Sequence, residues 1–286
     1  MNATTARVCL LDGFRVAVDD VPPETTGGAL PHGVQRLIAH LSLCGRPARG
    51  AIAGQLWPDV PEAHAHGSLR STLWRVQKAV PGLVDVSGGA VTLAAGVRVD
   101  VRELVEWAHS VLDPRVPVDR IRTPPAALAG ELLPGWYDDW VLLERERLRQ
   151  LRMHALEVLA DRLVVAGRHG EAVQAAYAAA RDEPLRESAH RAIVRVHIAE
   201  GNVAEAVRAY TTFRDALARE LGVPPTRQMQ ELVSRWQVRI VPGRPGPAGV
   251  PGRPGPAGVP RPRPGSGAGP RPRPVAAPAT AGARGA

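Results

Sequence analysis

The chain has 286 residues, 44% of them hydrophobic and 22% charged, with two cysteines and a formal net charge of +8. That is long and apolar enough for two ordinary domains with real cores, and it excludes a disulfide-stapled miniprotein or a wholly disordered chain. No apolar run approaches the roughly 20 residues needed to span a bilayer, and MNATTARVCLLDGFRV has neither a basic start nor an unbroken apolar stretch, so no membrane contact and no signal peptide are expected.

In chain order, residues 7–20 (RVCLLDGFRVAVDD) set two short β-type runs around Asp12-Gly13, a hairpin-turn dipeptide. A polar connection follows to Gly33. Val34, Leu37, Ile38 and Leu41 recur at helical spacing and predict a helix from Val34 to Cys44, ended by Gly45. A second short helix over Ala48–Trp57 has Ile52 and Leu56 four apart and Pro58 as its stop. The third runs from about Ala63 to Val80. At about 100° per residue, Ala65, Leu69, Leu73, Val76 and Val80 fall on one face, while Gly67, Ser68, Arg70, Ser71, Trp74, Arg75 and Lys78 fall opposite. LVDVS, a Gly88-Gly89 turn and AVTLAAGVRVDV then spell a β-hairpin. Cys9 and Cys44 are expected as two buried, reduced thiols.

Val101–Leu112 reads as another helix, and the Pro-rich residues 113–127 break the periodicity. A long all-helical region then reaches about Val241. Within it Gly167, Glu171, Ala172 and Val173 recur as Gly201, Glu205, Ala206 and Val207. The offset is 34 residues, the period of tetratricopeptide helix pairs. The final segment changes character: VPGRPGPAG occurs at 241–249 and again at 250–258. So short a collagen-like spelling predicts a disordered, polyproline-II-rich tail. Residues 242–286 hold seven arginines and no acid, which leaves only +1 of the net charge for residues 1–241. The overall charge therefore does not by itself make the body a nucleic-acid binder.

Few constellations suggest chemistry. His64 and His66, two apart on a helix, point about 200° away from each other and cannot share a metal. HExxH and paired CxxC motifs are absent, a P-loop needs Gly-Lys whereas the only lysine, Lys78, follows Gln77, and no GxSxG elbow occurs. The run DDWVLLERER (138–147) reads as solvated ion pairs along a helix. No enzyme, metal or cofactor is expected. The third helix stands apart, because no acidic residue lies between Ala63 and Val84 while Arg70, Arg75 and Lys78 share its outward face. One-sign basic decoration suits phosphate or base-edge contact. The plain alternative is an amphipathic helix with Trp74 packed under the hairpin.

Several stretches resemble the Streptomyces antibiotic regulatory proteins. LLDGFRV, LIAHLSLCGRPA, QLWPDVPEAHAHGSLRSTLWRVQKAVPGLV and VRVDVREL are similar to that family's N-terminal OmpR-type winged helix. ELLPGWYDDWVLLERERLRQLR, EPLRESAHRAIVRVHIAEGNVAEAVRAY and ARELGVPPTRQMQEL are similar to its bacterial transcriptional activator domain. The resemblance implies a mainly α protein with an α+β winged helix-turn-helix over 1–105 and an all-α tetratricopeptide-like domain over 106–241. The disordered tail read from composition, 242–286, completes the chain as a third part. The resemblance also implies an activator of a biosynthetic gene cluster that binds direct repeats near the −35 region and recruits RNA polymerase with its sigma factor. The modest charge of one domain makes two copies on adjacent repeats the expected arrangement, and two reduced thiols suit a cytoplasmic protein. By position, Ser68, Arg70, Ser71, Trp74, Arg75 and Lys78, with Arg49, would meet DNA, and Pro58, Asp59, Val60 and Glu62 would form the polymerase-contact loop. The hairpin tip Ser87-Gly88-Gly89 lacks the expected cation. The nearest is Arg98, read as lying on the outgoing strand. Absence of a P-loop makes the chain a small, stand-alone member of the family. The competing reading is a protein-interaction adaptor whose winged domain does not bind DNA.

Overall fold

The computed structural model describes residues 6–18, 30–45, 47–128 and 130–237. The chain opens with β1 (Ala6–Cys9) and β2 (Arg15–Val18), paired antiparallel from Ala6↔Val18 to Cys9↔Arg15. Asp12 and Gly13 make the reversal with φ of 60° and 119°, a left-handed conformation that Asp and Gly tolerate best. Three helices follow: α1 (His32–Leu43), α2 (Arg49–Leu56) and α3 (Glu62–Ala79). After α3 come β3 (Val84–Ser87) and β4 (Ala90–Leu93), joined at Gly88 and Gly89, both with positive φ. An isolated bridge, Ala48↔Ala90, ties this hairpin to the start of α2.

Arg98 departs from expectation. The β3–β4 ladder ends at Leu93, and Gly96 turns the chain with φ of 93°. Arg98–Val99 forms β5, which runs parallel to β1 in the sheet order β2-β1-β5. The cause is apolar burial: Val99, only 2% exposed, joins Val8 in the core beneath the N-terminal sheet. The segment therefore leaves the hairpin.

The helix α4 (Asp100–Leu112) starts directly from β5, and residues 105 and 106, the expected domain boundary, lie inside it. After a 3-10 turn at Val118–Arg120 and the short α5 (Pro125–Leu128), five helices complete the described chain. They are α6 (Asp139–Val165), α7 (His169–Asp182), α8 (Glu187–Glu200), α9 (Val203–Leu221) and α10 (Arg227–Gln237). The pairs α6–α7 and α8–α9 repeat one another. Each turns at a left-handed glycine, Gly167 (φ 73°) or Gly201 (φ 85°), and Ala172, Ala176 and Ala179 bury faces with no bulk beyond a methyl group, which lets the helices approach closely. The tail, 242–286, lies outside the described residues.

One apolar core runs from the N-terminal sheet through α1–α4 into α6–α8, so the two halves are joined by packing as well as by chain. Residues 130–133 run antiparallel beside the Asp12 turn, with Leu133 N–H donating to Leu10 C=O (2.9 Å) and a Leu11↔Leu132 bridge. The carboxylate of Asp100 accepts from Leu10, Leu11 and Val101 amides at 2.7–3.0 Å. Burial nevertheless dominates and pushes its pKa up. The guanidinium of Arg102 donates to the Ser42 and Leu41 carbonyls (2.9 and 2.8 Å), satisfying the end of α1, which stops one residue before Cys44.

Candidate nucleic-acid interface

Helix α3 buries Ala65, Leu69, Thr72 and Val76. The expected inward stripe is thus rotated slightly, because Leu73 is only half-buried and Thr72 takes a core place. A threonine can do so because its hydroxyl donates to the Ser68 carbonyl one turn back (2.8 Å), leaving only its methyl to pack. Opposite this stripe, Arg70, Ser71, Trp74, Arg75 and Lys78 are exposed, and Ser68 is half-buried beside them. Trp74 is 64% exposed, so it does not pack under the hairpin. The Lys78 ammonium lies 5.2 Å from the centroid of its ring, a cation–π contact one helical turn away. Among the described residues, Arg70, Arg75 and Lys78 have no carboxylate within ion-pair reach, so their charge faces solvent undiminished.

Arg49, exposed, is the first residue of α2 and adjoins the Ala48↔Ala90 bridge to the hairpin. Arg98 is not brought to this set. On β5 it faces Glu103, whose carboxylate takes Arg98 at 2.6 Å and Arg7 at 2.9 Å. Its place beside β1 and its neutralised charge correct the expectation of a cation on the hairpin's outgoing strand. The hairpin tip Ser87-Gly88-Gly89 is exposed and bears no charge.

Pro58, Asp59 and Val60 are exposed in the α2–α3 connection, and Glu62 is already the first residue of α3, 3.6 Å from His66. This connection is not isolated. It forms one wall of a groove of about 580 Å³ whose other wall is the start of α6, with Tyr137, Asp139 and Leu143. Tyr137 (78%) and Leu143 (73%) expose apolar surface on that wall, beside the carboxylates of Asp138 and Asp139. Only the apolar letters within an acidic run could have signalled it in the sequence.

That run, 138–147, also differs from the solvated ion pairs expected of it. Glu144–Arg147 behaves so (2.8 Å), but Asp138 pairs across the fold with Arg36. Arg145 turns inward to the Leu132, Leu133 and Trp136 carbonyls (2.9, 2.7 and 3.0 Å). A guanidinium's five donors can serve three acceptors of an irregular loop at once, which one solvent-exposed carboxylate partner would not require. Both cysteines are free and half-buried rather than buried. Burial and the nearby Glu144 push the Cys44 thiol pKa up, so it is a poor nucleophile. Among the described residues no three His, Cys, Asp or Glu side chains gather as a metal site, and no helix is long and apolar enough to cross a membrane.

Residues 102–235 match the bacterial transcriptional activator domain. The regulatory protein AfsR of Streptomyces coelicolor is 34% identical over 212 residues, covering 70% of this chain and 21% of that protein. AfsR of Streptomyces griseus is 30% identical over 205 residues, 66% of this chain and 21% of its own. The chain thus spans about a fifth of the length of the curated relatives it matches. Among solved structures, Mycobacterium tuberculosis EmbR, in complex with a low-affinity phosphopeptide, aligns with a TM-score of 0.59 at 18% identity, over 81% of this chain and 65% of that one. That likeness is one of fold.

Proposed function

We propose that the chain is a Streptomyces antibiotic regulatory protein: a winged helix-turn-helix DNA-binding unit fused to a tetratricopeptide-like activator domain. It acts in the cytoplasm as a pathway-specific transcriptional activator, without enzymatic activity or cofactor. The observation that carries this reading is the outward face of α3. Arg70, Arg75 and Lys78 stand there, with no ion-pair partner among the described residues, around an exposed tryptophan, on the third helix of a three-helix-plus-hairpin unit, the element such units lay in the major groove. The match of residues 102–235 supplies the activator half.

One copy offers few phosphate contacts, since its hairpin tip is uncharged. Two copies on adjacent direct repeats, head to tail, supply the rest. The groove between Pro58–Val60 and Tyr137–Leu143 is a suitable face for RNA polymerase and its sigma factor, because both halves of the chain contribute to it. The test uses residues 1–241, which form one compact unit, so that the tail's seven arginines add no non-specific affinity. Promoter DNA from the neighbouring biosynthetic cluster should bind about a thousandfold more tightly than scrambled DNA at physiological salt. Equal affinity would instead favour an interaction adaptor. The groove of about 430 Å³ lined by Tyr177, Ile193 and Arg208 on α7–α9 is that reading's best support.

A further inference from the structure

Of the tryptophans with described side chains, Trp57, Trp107, Trp136 and Trp140 are buried or half-buried, whereas Trp74 stands out in solvent. Its place on α3 is central. Measured around the helix from buried Leu69, Trp74 lies at about 140°, Lys78 at about 180° and Ser71 at about 200°, with Arg70 and Arg75 on the flanks. From Arg70 to Lys78 the helix rises about 12 Å, the width of a B-DNA major groove. The ring is also held: the Lys78 ammonium sits over it at 5.2 Å.

A duplex stacks its base faces away and offers only edges. In the major groove those edges are hydrogen-bond donors and acceptors, with a single apolar group among the four bases, the C5-methyl of thymine, beside the O4 acceptor. Against any other edge an indole strips water from polar groups and returns at most one hydrogen bond. Against thymine its ring buries the methyl, and its N–H is the right sign for O4. We propose that Trp74, oriented by Lys78, reads a thymine methyl in the operator, flanked by bases read by Arg70 and Arg75. This rests on α3 being the recognition helix.

The test begins by selecting binding sites from randomised duplex DNA with the full chain, then replaces each thymine of the selected site by deoxyuridine, which deletes only the methyl. Wild type should lose about fourfold in affinity at one or two positions per repeat, the worth of one buried methyl. Trp74→Ala should bind more weakly throughout and show no further loss there. Because the side chain is exposed, the variant's thermal melt should match wild type. Should Trp74→Ala bind too weakly to titrate, Trp74→Gln provides the comparison, keeping length without the ring. Trp74→Phe, which keeps an apolar ring, should retain part of the response. Indifference of wild type to every deoxyuridine, or the same loss in the Ala or Gln variant, overturns the assignment while DNA recognition stands. Failure to enrich any sequence overturns the recognition reading itself, and this proposal with it.

Discussion

Asp12 and Glu131, 119 residues apart, exchange two hydrogen bonds: the Asp12 amide donates to the Glu131 carbonyl (2.9 Å), and the Glu131 amide donates to the Asp12 carboxylate (3.1 Å). Asp12 does this with φ of 60°, so one residue both reverses the first hairpin and clips the segment leading into α6. Asp12→Ala loses the acceptor and strains the backbone, a combined cost of about 2–3 kcal/mol. Asp12→Gly loses the acceptor alone, about 1 kcal/mol. Urea midpoints should therefore fall in the order wild type, Asp12→Gly, Asp12→Ala. Equal midpoints for the two variants would show that the left-handed turn carries no strain.

Arg145 is the second fastening of that segment. Its guanidinium serves three carbonyls around Leu133, itself at φ 44°, and is four-fifths buried. Truncation to Ala orphans acceptors that water reaches poorly, at a cost of about 2–4 kcal/mol. Lysine keeps the charge but reaches one carbonyl rather than three, so Arg145→Lys should recover less than half of the loss in equilibrium denaturation. Full rescue by lysine would mean that charge, not the forked geometry, holds the loop.

Acid should destabilise the protein before its carboxylates titrate. His40 is fully buried, hydrogen-bonded to the Gln55 amide oxygen and edge-on to Trp140. His190 stacks on Phe213 at 4.2 Å. Burial holds both below the ordinary histidine value of 6.5. The folded state thus binds fewer protons than the unfolded one, and stability is lost as pH falls through that value. Asp100, pushed upward by burial, has the opposite sign, so its protonation at lower pH favours the folded state. Urea midpoints at about pH 7.5 and about pH 5.5 should differ, and the difference should shrink in a His40→Gln, His190→Gln double variant. An unchanged pH slope in that variant would place the acid sensitivity elsewhere.

What could be read from the sequence was local. The Asp12-Gly13 reversal, the 3.6-residue periodicities and the 34-residue recurrence of Gly167 at Gly201 each depend on neighbours along the chain, and each has its counterpart in the structure. What could not be read was pairing at a distance. Arg98–Val99 looks like the end of a hairpin until β1, 91 residues earlier, competes for it. Arg145 sits beside glutamates at ion-pair spacing, and only the fold shows three carbonyls drawing it inward. On α3 the outward basic face followed from spacing alone, but Thr72 and Leu73 flank the same stripe, and the choice between them is made by the packing of the neighbouring helices.

Arg98 and the α3 arginines are separated by a prediction of their own. Arg70 and Arg75 are exposed, with no carboxylate partner among the described residues, so Arg70→Ala, Arg75→Ala should shift stability by no more than about 0.5 kcal/mol while removing two groups that can bond guanine edges. Each such contact contributes about 1–3 kcal/mol of discrimination, so the double variant should lose at least about tenfold in operator preference over scrambled DNA. Arg98→Ala should do neither. It frees Glu103 to pair with Arg7 alone, an exchange at the surface worth under about 1 kcal/mol. It should also leave operator affinity within about twofold, because the residue lies on the N-terminal sheet. Competition binding with operator and scrambled duplexes, alongside thermal melts of all three proteins, gives the comparison. A loss of specificity in Arg98→Ala matching that of the double variant would require β5 to reach the DNA, contrary to its pairing with β1.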